Sequence, residues 1–205
     1  SPAAAADGMV ALITDKSVAG AEAYTLNVTE KHIEIKASHR AGFFYGLQTL
    51  RQLMTKAFYA KTAAQREWNI PVLDIKDKPL LSYRGYMLDI ARHFFDKTEV
   101  KRILDIMSFY KMNRLHWHLT DDQGWRIEIP EYPKLTQVGS RRKGSFVSDG
   151  IEKGFFDDTE YGRGMYYTLD DLREIVAYAA EETSKSFPKS TCRVTWWLRL
   201  LLIQS

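Results

Sequence analysis

The sequence predicts an α/β protein, in which a small α+β layer is followed by a β-α-β-α segment with a parallel sheet. Two observations predict this class. In the first part of the chain, two alternating strands come directly before one amphipathic helix. In the second part, two short apolar strands alternate with two amphipathic helices. A length of 205 residues allows one full domain and part of another.

The first layer is predicted over residues 1–78. The segment AEAYTLNVTEKHIEIKA alternates apolar and polar residues, with Tyr24 and Leu26 in one strand and Ile33 and Ile35 in the next. The polar TEKH between them forms the turn. HRAGFFYGLQTLRQLM follows with apolar residues at helical spacing. We expect NIPVLDIKDKP to be an extended connection that leads out of this layer.

The second part is predicted over residues 79–182. SYRGYMLDIA and NRLHWHLTDD are strand candidates, and DKTEVKRILDIMSFYKM between them has an amphipathic helical stripe. A helix between two strands makes the strands parallel. After a long polar and aromatic segment from Gln123 to Tyr167, TLDDLREIVAYAAEE predicts a second helix with Thr168 as its cap ahead of Asp171.

Charge argues against a nucleic-acid partner. The formal net charge is +3, but Lys185, Lys189, Arg193 and Arg199 all lie in the last 23 residues. The rest of the chain therefore has 25 basic and 26 acidic residues, which leaves no basic footprint for nucleic acid.

Membrane insertion and a disulfide framework are also not expected. The apolar stretch from Trp196 to Ile203 is too short to cross a bilayer and contains Arg199. Cys192 is the single cysteine, so neither a disulfide framework nor a thiolate metal site can form within the chain.

Polar residues gather where the two strands of the second part end. LHWHLTDDQGWR places His116 and His118 on one side of a strand, with Asp121 and Asp122 at its end. LDIARH ends the preceding strand. Functional sites in parallel α/β sheets lie at the carboxyl ends of strands. The candidate site residues are therefore Asp89, Arg92, His93, His116, His118, Asp121 and Asp122.

Three interpretations of this cluster remain open on spacing alone. The histidines can be a structural pair bonded to carboxylates. They can be zinc ligands of a barrel hydrolase, although the sequence supplies no convincing third and fourth ligands. Alternatively, Arg92 and Asp121 can hold a hydroxyl-rich ligand, because a guanidinium offers donors and a carboxylate offers acceptors.

Two long motifs in register then resemble glycoside hydrolase family 20, the β-N-acetylhexosaminidases. They are YRGYMLDIARHFF and, about thirty residues later, LHWHLTDDQGWRIEI. The resemblance runs from roughly Ala23 to Glu182. It implies that the second part is the start of a TIM (β/α)₈ barrel, truncated after its first two βα units, and that the first part is the small α+β domain preceding that barrel.

The resemblance also implies roles. Arg92 matches the arginine that binds the outer hydroxyls of the non-reducing N-acetylhexosamine, and Asp121 matches an aspartate of the same subsite. Asp89, His93, His116, His118 and Asp122 are possible supporting residues. The implied partners are N-acetylhexosamine-terminated glycans or chitooligosaccharides. The family requires no cofactor or metal. A periplasmic, secreted or cell-surface location in a bacterium is also implied.

The family's chemistry is substrate-assisted. The acetamido oxygen of the sugar attacks the anomeric carbon, while an Asp-Glu pair orients the acetamido group and protonates the leaving oxygen. No segment of this sequence matches that pair. No catalytic residue is therefore assigned, and the resemblance implies that the 205-residue chain is inactive and folds poorly past Glu182.

The last segment, residues 183–205, departs from the family pattern. The family expects a strand resembling IEVIPEIDMPGH after the YAAEE helix, whereas the chain continues TSKSFPKSTCRV. Joining the third base of each codon to the first two of the next permits that same expected sequence, starting at Thr183. We infer a reading-frame slip near Glu182, which makes the segment a non-native tail.

Overall fold

The computed structural model describes residues 8–54, 70–144, 146–148, 154–156 and 164–182. The tail, Cys192 and the inferred frame slip therefore lie outside the described residues. The chain forms two compact units. Among the described residues, one unit comprises 8–54, 70–84, 107–113 and 180–182, and the other comprises 85–106, 114–144, 146–148, 154–156 and 164–179.

The first unit is a four-stranded sheet covered by one helix. Its strands follow the spatial order β1-β3-β2-β4. Strand β2 pairs antiparallel with both β3 and β4, and β1 pairs parallel with β3. The elements are β1 (Val10–Thr14), β2 (Tyr24–Val28), β3 (Ile33–Ala37), helix α1 (Arg40–Leu53) and β4 (Leu73–Asp77).

Apolar and polar residues alternate along the two central strands, β2 and β3, and the apolar ones form the core of this unit. Tyr24, Leu26 and Ile35 are at most 2% exposed and face the helix. Helix α1 lies close to the sheet because glycine occupies the contact. A Cβ on Gly42 would lie 2.2 Å from the Ala23 carbonyl oxygen, so only glycine allows this approach.

The structure corrects the sequence-based description at both edges of this sheet. The segment expected to be an extended connection contains β4, which pairs with β2 over five residues. Strand β1 was not predicted at all. Both are edge strands, covered less by the helix, and β1 leaves Val10 and Leu12 about half exposed. Strand β4 contains the charged Asp74 and Lys76, whereas β1 lies in the apolar run MVALI, a strand signal that the prediction did not use.

The second unit contains the predicted parallel pair, β5 (Gly85–Asp89) and β6 (Arg114–His118), joined by helix α2 (Lys97–Phe109). Leu115 and Trp117 of β6 are buried, as is Leu119 directly after the strand. The predicted last helix is α4. The remaining elements are β7 (Thr120–Asp121), β8 (Gly124–Trp125), α3 (Lys134–Gln137), β9 (Phe146–Ser148), β10 (Gly154–Phe156) and α4 (Leu169–Glu182).

The predicted cap of α4 is present in full. The Thr168 hydroxyl accepts the Asp171 N–H at 3.1 Å, and the Asp171 carboxylate accepts the Thr168 N–H at 3.1 Å. A similar reciprocal pair, Asp96 and Glu99, begins α2. Within the described ranges, none of the helices combines the length and the apolar character needed to cross a bilayer.

Candidate functional site

The candidate site lies where β5 and β6 end. Asp89 is the last residue of β5 and His118 the last of β6, and the two are register partners in the parallel pair. Parallel pairing places the carboxyl ends of both strands at one edge, so the loops after them start side by side. The predicted convergence of LDIARH and HWHLTDD is therefore observed in the structure.

Four of the predicted residues form a contiguous cluster, which we call the strand-end cluster: Asp89, Arg92, His118 and Asp121. Arg92 Nη1 lies 2.8 Å from Asp89 Oδ2 and 2.8 Å from Asp121 Oδ2. His118 Nε2 lies 2.8 Å from the same Asp121 oxygen. Their side chains are 27–43% exposed, so the cluster is open to a ligand from solvent.

Asp121 is held as a carboxylate. Its pKa is lowered to about 2, first because the Asp122 backbone N–H donates to it, then because His118 donates to it, with a smaller contribution from the positive charge of Arg92. A proton on His118 Nε2 makes the 2.8 Å contact a hydrogen bond. The 3.1 Å approach of Arg92 Nη1 to the same nitrogen is then a contact between two donors.

Asp89 fixes the loop that carries Arg92. Its Oδ1 accepts the backbone N–H of Ala91 at 3.0 Å and of Arg92 at 3.2 Å, and its Oδ2 accepts Arg92 Nη1. One carboxylate therefore sets both the backbone and the side chain of Arg92. In this structure Asp89 is therefore a group that positions Arg92.

Two further arginines shape this loop, and neither was singled out in the sequence. Arg126 is fully buried, and its guanidinium donates to backbone carbonyl oxygens, including Ile90 at 3.2 Å and Ala91 at 3.0 Å. Arg142 donates to Ala91 at 3.1 Å and also to the Arg92 carbonyl oxygen. The position of Arg126 between apolar residues in QGWRIEI could have indicated a buried arginine. The polar segment around Arg142 contains no such indication.

The other predicted residues lie around the cluster. His116 is exposed on β6, on the same side as His118 and beside Met87 of β5. His93 is exposed one residue after Arg92, and Asp122 contributes its backbone N–H to Asp121. Among the described residues, no three or more His, Cys, Asp or Glu side chains are grouped so that they could hold a metal ion.

The cluster retains donors for a ligand. Arg92 Nε and Nη2 make no hydrogen bond to any residue that the structure describes, and the Arg92 side chain is 43% exposed. Two donor nitrogens beside an ionised carboxylate match a pair of neighbouring hydroxyl groups, each of which can donate and accept. The geometry therefore fits a polyhydroxylated ligand better than a bare cation.

Comparison with known proteins decides the family. Residues 1–78 match the model of glycosyl hydrolase family 20, domain 2, and residues 81–186 match that of the glycosyl hydrolase family 20 catalytic domain. The chain belongs to glycoside hydrolase family 20.

Curated relatives agree with this assignment. The chain is 45% identical over 171 residues to a β-hexosaminidase of Akkermansia muciniphila, covering 82% of this chain and 31% of that protein. It is 39% identical over 168 residues to a β-hexosaminidase of Porphyromonas gingivalis, covering 82% and 20%. The chain thus spans less than a third of the length of either family 20 relative.

Solved structures confirm the fold. The chain superimposes on a family 20 exo-β-N-acetylglucosaminidase from Vibrio harveyi, in complex with N-acetylglucosamine, with a TM-score of 0.71 and 34% identity. That match covers 85% of this chain and 26% of the other. A family 20 β-N-acetylhexosaminidase from Streptomyces coelicolor gives a TM-score of 0.70 at 36% identity, covering 87% and 33%. The two βα units predicted here are therefore the start of the family's barrel domain.

Proposed function

We propose that the chain is the sugar-binding start of a β-N-acetylhexosaminidase, which removes terminal non-reducing β-linked N-acetylglucosamine or N-acetylgalactosamine. The strand-end cluster carries this proposal, because Arg92 offers two unused donors next to the ionised Asp121. The names of the relatives, β-hexosaminidase and chitobiase, support the substrate class. Chitooligosaccharides and N-acetylhexosamine-terminated glycans are the proposed partners.

In this proposal Arg92 and Asp121 bind adjacent outer hydroxyls of the terminal sugar. Arg92 donates to the hydroxyl oxygens through Nε and Nη2, and Asp121 accepts from a hydroxyl. Asp89 and His118 keep the two groups in place through the bonds described above. Holding the sugar in one pose before reaction lowers the barrier, because the orientation is already set when the chemistry begins.

The proton transfer requires a different part of the parent protein. The sequence contains no Asp-Glu dipeptide, so neither the acetamido-orienting carboxylate nor the general acid is supplied by these 205 residues. We therefore expect the 205-residue chain to bind the sugar without turning it over. Turnover belongs to the longer product with the reading frame restored beyond Glu182.

Replacing Arg92 tests the proposal in that longer product. Arg92→Ala removes the paired donors, and we expect kcat/KM on an aryl N-acetyl-β-glucosaminide to fall about a hundredfold or more. Arg92→Lys keeps the charge but loses the planar fork, so it should recover only part of the loss. Arg173→Ala is the matched control, since Arg173 pairs with the highly exposed Asp170 on α4.

Three results would contradict the proposal. Unchanged kinetics in Arg92→Ala would remove Arg92 from the sugar site. Loss of activity on adding a chelator would indicate a metal-dependent hydrolase instead. Turnover by the purified 205-residue chain, free of host enzyme, would contradict the assignment of the acid to another segment.

A further inference from the structure

A cleft at one end of the first sheet is not used by the proposed activity. The cleft has a volume of about 500 Å³ and lies entirely within the first unit, beside the ends of β2, β3 and β4. Thr25, Lys36, Lys76 and Lys78 are among its lining residues, with the carboxylates Asp15 and Asp77. Three lysines around one cleft suit an anionic ligand.

Strand register arranges three of these groups in one row. Thr25 of β2 is the register partner of Lys36 in β3 and of Lys76 in β4. Register partners point to the same side of a sheet, so the hydroxyl lies between two ammonium-bearing side chains. The Cα atoms of Lys36 and Lys76 are separated by two interstrand distances, which is about 10 Å. Flexible four-carbon stems allow both ammonium groups to reach a ligand above Thr25.

The carboxylates that line the cleft are already engaged. Asp15 accepts the Ser17 hydroxyl at 2.6 Å and the Ser17 N–H at 2.8 Å. Asp77 accepts the Tyr24 hydroxyl at 2.7 Å and the Lys111 ammonium at 3.1 Å. Lys111 therefore offsets the charge of Asp77, and the cleft retains a surplus of positive charge.

Lys76 and Lys78 are the available cations of the cleft. Both are exposed, and their ammonium groups form no ion pair or hydrogen bond with any residue in the described part of the chain. Asp74 lies two residues before Lys76 on the same face without pairing with it. Lys36 differs, because its Nζ lies 3.2 Å from Glu34 Oε2, so a ligand would have to compete for it.

We propose that this cleft is an oxyanion-binding site, which holds a sulfate or phosphate monoester group through Lys76, Lys78 and Thr25, with Lys36 at its edge. Ammonium groups donate in three directions and suit a tetrahedral anion with several acceptor oxygens. The Thr25 hydroxyl supplies a neutral donor at the centre of the row. The site lies on the small α+β unit and is independent of sugar binding by the strand-end cluster.

The test is an NMR titration of the 205-residue chain with sodium sulfate, at ionic strength held constant with sodium chloride. We expect saturable shifts of the Thr25, Lys76 and Lys78 amides, because bound sulfate changes their local field. Lys76→Ala and Lys78→Ala should each weaken binding by about fivefold or more through loss of a charge-assisted contact. Lys31→Ala, an exposed lysine in the β2–β3 turn, is the control and should change the affinity less than twofold.

Ester ligands identify the source of the anion. N-acetylglucosamine 6-sulfate and 6-phosphate are compared with neutral N-acetylglucosamine, and the tighter ester indicates the natural group. Lys76→Gln, which keeps most of the stem, replaces the alanine variant if that variant loses its native spectrum. Shifts that never saturate, equal shifts in wild type and both lysine variants, or equal binding of the neutral sugar at the cleft would each overturn the proposal.

Discussion

Asp121 connects the two halves of the strand-end cluster, because its Oδ2 meets both Arg92 and His118 at 2.8 Å. The ordinary pKa of aspartate is about 3.9, and that of Asp121 is about 2. A lowered folded-state pKa stabilises the folded chain above the unfolded value. That contribution is lost as pH falls from about 3.9 through about 2. At neutral pH the cluster therefore presents a permanent carboxylate.

A carbon-detected NMR titration of the Asp121 carboxyl group tests this electrostatic assignment. We expect a midpoint near 2 in the native chain. His118→Ala should raise the midpoint more than Arg92→Ala, because the His118 hydrogen bond lowers the pKa more than the Arg92 charge does. The reverse ranking, or a native midpoint at the ordinary value of about 3.9, would contradict the account.

The strands that bury one full face, β2 and β3, were predicted from the sequence, whereas the edge strands β1 and β4 were not. Strands β2 and β3 alternate because Leu26 and Ile35 face a helix, and the period identifies them. Strand β4 exposes Asp74 and Lys76, so its alternation looks like that of a polar connection. The strand ends predicted the cluster. Arg142 could not be predicted, because it donates to the carbonyl oxygens of Ala91 and Gln123 from a distant part of the sequence, and such backbone contacts leave no local pattern.

Helix α1 offers a test of how close packing overrides helix propensity. At an open helical position, Gly→Ala stabilises by about 1 kcal/mol. At Gly42 the new methyl group would meet the Ala23 carbonyl oxygen at 2.2 Å and the Ala37 side chain at 2.8 Å. We expect Gly42→Ala to destabilise by about 1–3 kcal/mol, since the helix must move off the sheet. Urea denaturation followed by circular dichroism measures it, and a midpoint above that of the native chain would contradict the packing argument.

The two units differ in how their strands are covered. In the first, β2 and β3 each have two neighbouring strands, and α1 packs on one face. In the second, within the described residues, β5 and β6 pair only with each other. Tyr86 and Met87 of β5 are 43% and 55% exposed. A barrel stabilises its strands by closing the ring, so this pair depends on neighbours that the described residues do not provide.

Amide hydrogen exchange should therefore divide the 205-residue chain by unit. Exchange proceeds through local openings, whose free energy is low where few apolar contacts and few strand neighbours oppose them. We expect amides of β2 and β3 to exchange at least about tenfold more slowly than those of β5 and β6, which corresponds to an opening free energy about 1.4 kcal/mol higher. Mass spectrometry of peptic peptides covering Tyr24–Val28, Ile33–Ala37, Gly85–Asp89 and Arg114–His118 measures the difference. Comparable protection of all four strands would show that β5 and β6 gain their stability without a closed barrel. Faster exchange in β2 and β3 than in β5 and β6 would show that the first unit is the less stable one.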